Sequence, residues 1–179
     1  FIEHRLLHFQ QGPVPQEEYA TPPGKARVVK QGRDITLVGI SYMQLECYRA
    51  CSYLEERGIS VELIDPIWLS PLDIGTIVES VKKTGMLCVV DNCWMTCGAA
   101  SEIITQVLER IQGVRDIRVK RMGFAPVTCP TTPVLEDVFY PNSRTIAASV
   151  YALVNGTEEV MWVPEENPAL QAEDFKGPF

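Results

Sequence analysis

Two cysteines, Cys93 and Cys97, stand four residues apart where an apolar run passes into a helix-like segment, in the stretch VVDNCWMTCGAASEI. The C-x-x-x-C spacing differs from the C-x-x-C spacing of thioredoxin-type redox sites, and a zinc site needs two further ligands that no nearby histidine supplies. Free cysteine is among the most buried residue types, so the sequence favours two small apolar fillers at this corner, with Thr96 as the helix cap. A reactive Cys97 close to a helix start is the alternative.

Two aspartates, Asp65 and Asp91, end two of the strands predicted below. If those strands are parallel, both carboxylates lie at the carboxyl edge of the sheet, where open α/β sheets bind their ligands. Aspartates at strand ends are also common as turn residues and helix caps. The pattern favours the structural role and leaves a ligand role open.

Two histidines, His4 and His8, lie in the opening segment FIEHRLLHF, with Glu3 and Arg5 beside His4. On a helix they would share a face, because they are four residues apart. A metal site or an acid–base pair needs a third ligand or an orienting acid at a fixed spacing, which the sequence does not show. We therefore expect both histidines to lie in solvent or at an interface.

Strand-like and helix-like segments alternate along most of the chain. Five apolar runs predict strands, and between most of them apolar residues recur at helical spacing. The short KQGRD turn favours antiparallel pairing of the first two strands. The order predicts an α/β fold with three layers, α/β/α, around a mostly parallel five-stranded sheet with one antiparallel strand. The predicted strands are KARVV, DITLVGI, SVELID, MLCVVD and IRVKRM.

Helix boundaries are signalled by capping residues. Ser70 is the expected cap of the second helix, Pro71 its first residue, and Asp73 lies in its first turn. Gly85 is expected to end that helix, and Asn142 to cap the last helix. The proline-rich stretch GFAPVTCPTTPV is expected to be the connection that crosses the surface before that last helix.

Composition narrows the function class. The chain has 179 residues, of which 46% are apolar, and a formal net charge of -7. No apolar run approaches the roughly 18 residues that a membrane-spanning helix needs, so we expect no membrane association. Nucleic-acid binding needs clustered Lys and Arg, whereas the basic residues within 115–121 alternate as on a strand. We therefore expect no nucleic-acid partner. Six cysteines without a signal peptide favour a reducing compartment, the cytoplasm or, in a eukaryote, the mitochondrial matrix.

Several phrases of the sequence, taken in order, resemble one protein family. They are similar, with similar spacing, to the carboxyl-terminal half of the beta subunit of thiamin-diphosphate-dependent 2-oxoacid dehydrogenases of the pyruvate and branched-chain type. That half is a transketolase C-terminal domain, and the resemblance covers residues 1–154. The phrases are FIEHRLLHF, PPGKARVVKQGRDITLVG, GISVELIDPIWLSPLDIGTIVESVKKTG, VVDN and LEDVFYPNSRTIAASV.

The resemblance implies an assembly role in oxidative decarboxylation. In that family this domain builds the interface of two alpha and two beta subunits and helps dock the dihydrolipoyl acyltransferase core. Thiamin diphosphate and Mg belong to the full enzyme, whose cofactor-activating glutamate lies in an upstream domain that this chain does not match. Because the sequence also lacks the phosphate loops G-x-G-x-x-G and G-x-x-x-x-G-K-[ST], we expect this chain alone to bind no cofactor and to be inactive. We expect it to associate with a second copy of itself.

The resemblance also divides the chain into three parts. Residues 1–24 are expected to be a linker from an upstream domain, residues 25–154 the transketolase C-terminal domain, and residues 155–179 an extended acidic tail. Apolar groups without an obvious place in one small domain are expected to cover a groove or to meet the second copy. They are Trp94, Met95, Met161, Trp162 and Val163.

Asp116 is the site residue that the resemblance assigns. It lies just before IRVKRM, at the position of the family's acidic residue that pairs with an arginine on the subunit-binding domain of the acyltransferase. The alternative is an ordinary exposed turn acid beside Arg115 and Arg118, which would contribute little to stability.

Two loops depart from the family pattern. The chain has DNCWMTCGAASEI where the family reads DEAPRTGGFGAEI, which removes the paired glycines at equal length. It has GFAPVTCP in place of TGPDTPVP, which removes an acidic residue. The alternative function is therefore a non-catalytic binding or scaffold module, or a divergent paralogue of the domain.

Overall fold

The computed structural model describes residues 2–10 and 15–171 of the chain. Five strands form its sheet: β1 (Arg27–Lys30), β2 (Ile35–Gly39), β3 (Val61–Asp65), β4 (Met86–Trp94) and β5 (Arg118–Phe124). Their order across the sheet is β1-β3-β2-β4-β5. β2 pairs in parallel with β3 and β4, β4 in parallel with β5, and β1 is antiparallel to β3. The predicted fold class is confirmed.

Helices cover both faces of this sheet. A 3₁₀ helix (Arg5–Phe9) precedes α1 (Tyr42–Glu55), α2 (Ile74–Thr84), α3 (Ala99–Ile111), α4 (Pro133–Phe139), α5 (Ser143–Asn155) and α6 (Pro168–Gln171). One apolar core packs α1 and α5 against one face, and a second core packs α2 and α3 against the other. The domain is therefore held by two cores that share one sheet.

The pairing of β1 differs from the sequence prediction. β1 pairs with β3 and not with β2, the next strand along the chain. The reason is burial: β2 is buried at all five residues and needs a neighbour on each side, whereas β1 is partly exposed and suits an edge. The connecting turn crosses the start of β3, where Gly32 lies so close that a Cβ would meet the Val61 carbonyl carbon at 2.1 Å.

Two predicted helix caps are corrected. Asp73 is the N-cap of α2, where its side chain accepts from the Thr76 N–H at 3.3 Å, and Pro71 lies before the helix after a cis peptide bond with Ser70. Gly98, and not Thr96, is the N-cap of α3. The cap of α5 is confirmed, since Asn142 forms a reciprocal capping box with Thr145.

The connection after β5 contains a helix that the sequence analysis missed. α4 follows the proline-rich crossing, and Phe139 at its end is the helix residue that joins the protein interior. The strand before α3 is also longer than predicted, because β4 continues past Asp91 to Trp94 and pairs there with Phe124.

The ends of the chain are described only in part. Residues 1, 11–14 and 172–179, which belong to the predicted linker and tail, lie outside the described residues. Within the described ranges, no helix is long and apolar enough to cross a membrane.

Candidate functional site

Asp116 lies in the turn between α3 and β5, beside a shallow groove of about 710 Å³. The groove is lined by the end of α3, with Leu108 and Glu109, and by the turn that leads to Ile117. Leu108 is partly exposed, so the groove offers an apolar floor beside two carboxylates. Such a surface suits a partner that presents a basic side chain together with apolar ones.

The two arginines near Asp116 in the sequence point elsewhere. Arg115 donates to the carbonyl oxygen of Lys83, 3.0 Å away at the end of α2. Arg118 donates to the carbonyl oxygen of Leu153, 2.7 Å away at the end of α5. Both cations lie at helix carboxyl termini, where the helix dipole favours positive charge.

The carboxylate of Asp116 is consequently exposed without an internal counter-charge. Among residues 2–10 and 15–171 it takes part in no ion pair. In the sequence, Arg115 and Arg118 both stand close to Asp116. In the structure both guanidinium groups donate to carbonyl oxygens at helix ends, and Asp116 stays exposed to solvent or to a partner.

The strand-end aspartates have structural roles. Asp91 does not end its strand as predicted, because β4 continues to Trp94. Its side chain is buried and accepts from the backbone N–H groups of Ala99 and Ala100 at the start of α3. Burial raises the pKa of the Asp91 carboxyl above its ordinary value, and the hydrogen bonds only partly oppose this shift. Asp65 pairs with Arg27 at 3.2 Å and accepts from the Ile67 N–H at 3.0 Å.

The cysteine corner is more exposed than the sequence suggested. Cys93 is half-buried, and Cys97 is exposed, with a φ of 60° in the left-handed region. The interpretation of Cys97 as a buried filler is therefore wrong. The guanidinium of Arg121 holds this corner, because it donates to the carbonyl oxygen of Met95 at 2.8 Å. In the described part of the chain, no three His, Cys, Asp or Glu side chains are grouped to hold a metal ion.

The two histidines have separate partners. The ring of His4 stacks on Tyr42 with a centroid distance of 4.9 Å, and its Nε2 lies 3.0 Å from Nδ2 of Asn92. His8 contacts the Glu3 carboxylate at 2.9 Å. Burial lowers the pKa of His4. These contacts hold His4 against the start of α1 and against Asn92 near the end of β4, and His8 has a different partner, so the two histidines do not share a ligand site.

The tail folds back on the domain through one of its three apolar residues. The indole of Trp162 packs on Tyr151 at 5.1 Å between ring centroids, and the Arg57 guanidinium lies 4.8 Å from the indole centre. Met161 is 77% exposed, and Val163 is also exposed. The predicted covering of a groove therefore applies to Trp162 alone.

An aromatic cluster, not predicted from the sequence, joins β4, β5 and α4. Phe139 stacks on Phe124 with centroids 5.0 Å apart, Trp94 meets Phe139 edge-on at 6.0 Å, and Tyr140 meets Phe139 at 4.8 Å. The sequence signal for α4 was the spacing of Val134, Leu135 and Val138 in PVLEDVFY, which follows one helix face. The aromatic contacts join residues far apart in the sequence, which local spacing does not reveal.

Comparisons with known proteins agree with this architecture. Acetoin:2,6-dichlorophenolindophenol oxidoreductase subunit beta of Cupriavidus necator is 35% identical over 156 residues, which cover 87% of this chain and 46% of that protein. Pyruvate dehydrogenase E1 component subunit beta of Porphyra purpurea is 34% identical over 160 residues, 89% of this chain and 48% of that protein. The chain thus spans about half the length of these relatives.

A solved structure and a family description match the same region. A split-gene transketolase, described as an inactive beta4 tetramer, superposes with a TM-score of 0.68 and 27% identity over 76% of this chain and 44% of that chain. The family described as transketolase, C-terminal domain, matches residues 24–146, which contain every strand of the sheet and α1 to α4. The chain belongs to the transketolase C-terminal domain family and is similar to the beta subunits of pyruvate and acetoin dehydrogenases.

Proposed function

We propose that this chain is the carboxyl-terminal assembly domain of a 2-oxoacid dehydrogenase beta subunit. It supports the association of beta subunits with alpha subunits and with each other, and it docks the dihydrolipoyl acyltransferase core. The similarity to pyruvate and acetoin dehydrogenase beta subunits supports this proposal. The beta4 tetramer of the related split-gene transketolase supports self-association.

The observation that carries the docking proposal is the state of Asp116. Its carboxylate is exposed beside an apolar groove, and both neighbouring arginines donate to helix ends instead. An arginine of the acyltransferase's subunit-binding domain would gain a charge-assisted hydrogen bond there without breaking an existing pair. Glu109 is the second carboxylate of the groove, and Arg115, which also lines the groove, donates to the carbonyl oxygen of Lys83.

The proposal assigns the chemistry to the rest of the enzyme. Thiamin diphosphate supplies carbanion chemistry when bound, and we propose that it and Mg are held outside this chain. The described residues offer no cluster of three His, Cys, Asp or Glu side chains for the metal, and the sequence has no phosphate loop. In this proposal residues 25–154 form the assembly domain, and residues 1–24 link it to an upstream domain. We also propose that the protein works in the cytoplasm or the mitochondrial matrix.

Binding of the acyltransferase's subunit-binding domain to the assembled dehydrogenase tests the docking role. Asp116→Lys is expected to weaken that binding on the order of tenfold or more, because it replaces an attraction by a repulsion. Glu56→Lys makes the same change of charge at an exposed acid at the end of α1 and should leave the affinity unchanged. Equal affinities of wild type and Asp116→Lys would overturn the docking role of Asp116.

A further inference from the structure

The segment that follows α5 is hydrogen-bonded to the domain through its backbone. Arg144 on α5 donates through its Nε to the Pro164 carbonyl oxygen at 2.8 Å, and Pro164 is buried. The Asn167 N–H donates to the Tyr53 hydroxyl oxygen on α1 at 3.1 Å. The segment therefore lies over both α1 and α5. It is outside the family match, which ends at residue 146.

Four side chains of the domain receive this segment, and we name the area that they form the tail-binding surface. Its centre is aromatic, because the Trp162 indole packs there on a tyrosine ring, and its margins carry two guanidinium groups. In residues 2–10 and 15–171 neither arginine takes part in an ion pair. The four residues are Tyr53, Arg57, Arg144 and Tyr151.

The bound segment has the complementary charge. Residues 157–167 read TEEVMWVPEEN, with four glutamates and no Lys or Arg. The glutamates lie on both sides of Trp162, and all four are exposed. Attraction between these carboxylates and the two guanidinium groups favours an acidic occupant of the surface.

The contacts are of the kind that domains use to bind extended peptides. The segment contributes one large aromatic side chain, Trp162, and two backbone groups, the Pro164 carbonyl oxygen and the Asn167 N–H. Backbone groups are common to any extended chain, whereas a place for one side chain gives specificity. The tail-binding surface therefore suits an extended segment with one bulky ring.

The segment can leave the surface without breaking a helix or a strand. Gly156 ends α5 with a φ of 69°, and residues 158–161 after it are exposed. The Tyr53 hydroxyl, which the Asn167 N–H now meets, can bond to water when the segment is gone. The two guanidinium groups are likewise groups that water solvates well.

We propose that the tail-binding surface is a peptide-binding site and that residues 157–167 occupy it as a competitor within the same chain. Its ligand is an extended acidic segment of another protein that carries one tryptophan or a similarly large aromatic side chain. Because the tail is tethered close by, its effective concentration at the surface is on the order of millimolar. A partner segment binds when the tail is displaced or released. This role is separate from the docking role of Asp116.

A fluorescently labelled peptide of sequence TEEVMWVPEEN, added to the full chain, tests the site by fluorescence polarisation. Wild type is expected to bind it weakly, because the tail fills the surface. Trp162→Ala in the chain removes the anchor of the tail and should tighten peptide binding on the order of tenfold or more. Met161→Ala is the matched control, since Met161 is 77% exposed, and should bind as wild type does. The peptide that itself carries Trp162→Ala should bind to none of these chains.

Two further measurements locate the binding. Arg57→Glu added to the Trp162→Ala chain should abolish the gain in affinity, because it replaces the guanidinium beside the indole by a carboxylate. Circular dichroism establishes that the variants are folded. Saturating peptide should raise the Tm of the Trp162→Ala chain, since a ligand that binds only the folded chain stabilises it.

Three results would contradict the proposal. A Trp162→Ala chain that is folded but does not bind the peptide would overturn the site. Equal affinities of wild type and the Trp162→Ala chain would overturn competition by the tail. Equal binding of the peptides with and without tryptophan would overturn the aromatic requirement and leave attraction of charge alone.

Discussion

Glu46 and Arg49 form a buried ion pair on α1, with 2.7 Å between the Glu46 Oε1 and the Arg49 Nη1. The second oxygen of Glu46 accepts from the Ser143 N–H at 2.7 Å. Ser143 is the first residue of α5, so one carboxylate pairs with a cation of its own helix and meets the positive end of another. This contact fixes how α1 and α5 pack over the sheet.

Glu46→Gln should lower the free energy of unfolding by about 3 kcal/mol, because it removes the negative charge beside a buried guanidinium. Urea unfolding followed by circular dichroism measures the change. Glu79→Gln is the matched control, since Glu79 contacts Lys82 at the same distance of 2.7 Å but on an exposed helix face. That variant should lose no more than about 0.5 kcal/mol. Similar losses in the two variants would contradict the role given to the buried pair.

Asp91 should make the domain less stable as pH rises through a defined window. Its folded pKa is raised by burial, so the folded chain holds the proton more tightly than the unfolded chain. Between the ordinary value of 3.8 and the raised value, the free energy of unfolding therefore falls as pH increases. Asp91→Asn keeps an oxygen that can accept from the N–H groups of α3 and removes the titration.

The difference in unfolding free energy between wild type and Asp91→Asn, measured from pH 3 to pH 8, isolates this contribution, since the other groups are shared.

Asp73→Asn should give the opposite slope. Burial alone would raise the pKa of Asp73, but hydrogen bonds from Ala26 and Thr76 outweigh it and lower the pKa. Stability from Asp73 is therefore lost as pH falls. If the difference in unfolding free energy changes with pH in the same direction for Asp91→Asn and Asp73→Asn, the environments of the two carboxyl groups are wrongly interpreted.

Local patterns predicted the elements of the fold but not all of their neighbours. The alternation of apolar runs and helical spacing identified the strands, the main helices and the cap at Asn142, because those features depend on nearby residues. The pairing of β1 with β3 depends on which strand occupies the buried centre of the sheet, and a short turn cannot reveal that. The apolar spacing in α4 was visible, but its outward orientation depends on Phe139 meeting Phe124 and Trp94 from distant strands.

The docking role of Asp116 comes from the family resemblance and stays a prediction. The structure adds that Asp116 is exposed beside a groove. The directions of Arg115 and Arg118 were not predictable, since each donates to the end of a helix distant in sequence. The exposure of Cys97 was missed because residue type favoured burial while backbone geometry placed it outward.

Trp162 should anchor the tail to the domain. Its indole packs on Tyr151 and lies against the Arg57 guanidinium, and nearby Arg144 donates to the Pro164 carbonyl oxygen at 2.8 Å. Trp162→Ala should lower the free energy of unfolding by about 2 kcal/mol through lost burial and the lost cation–π contact. It should also speed proteolysis between residues 157 and 167.

Met161→Ala is the control for the tail, because Met161 precedes Trp162 and is 77% exposed. That variant should keep wild-type stability within about 0.5 kcal/mol. If Trp162→Ala is equally neutral in urea unfolding and in proteolysis, the tail is not held by the indole.

Cys97 should be replaceable by glycine with a gain in stability. Its φ of 60° lies in the left-handed region that favours glycine. The resemblance described above implies a glycine at this position, since the family phrase reads DEAPRTGGFGAEI. The left-handed conformation costs about 1 kcal/mol for a residue with a Cβ. Glycine removes that cost but gains freedom in the unfolded chain, so we expect a net increase of about 0.5 kcal/mol.

Cys97→Ala keeps the Cβ and removes the thiol, so comparison of the alanine and glycine variants by urea unfolding separates backbone strain from cysteine chemistry. The glycine variant should be the more stable of the two. Cys93→Ala, at a half-buried position within β4, provides a cysteine replacement without a positive φ. A glycine variant less stable than the alanine variant would mean that the corner is not strained. If the corner is strained, cysteine is tolerated at position 97 because both ends of the corner are held in place. Arg121 donates to the Met95 carbonyl oxygen at one end, and Asp91 accepts from the first N–H groups of α3 at the other.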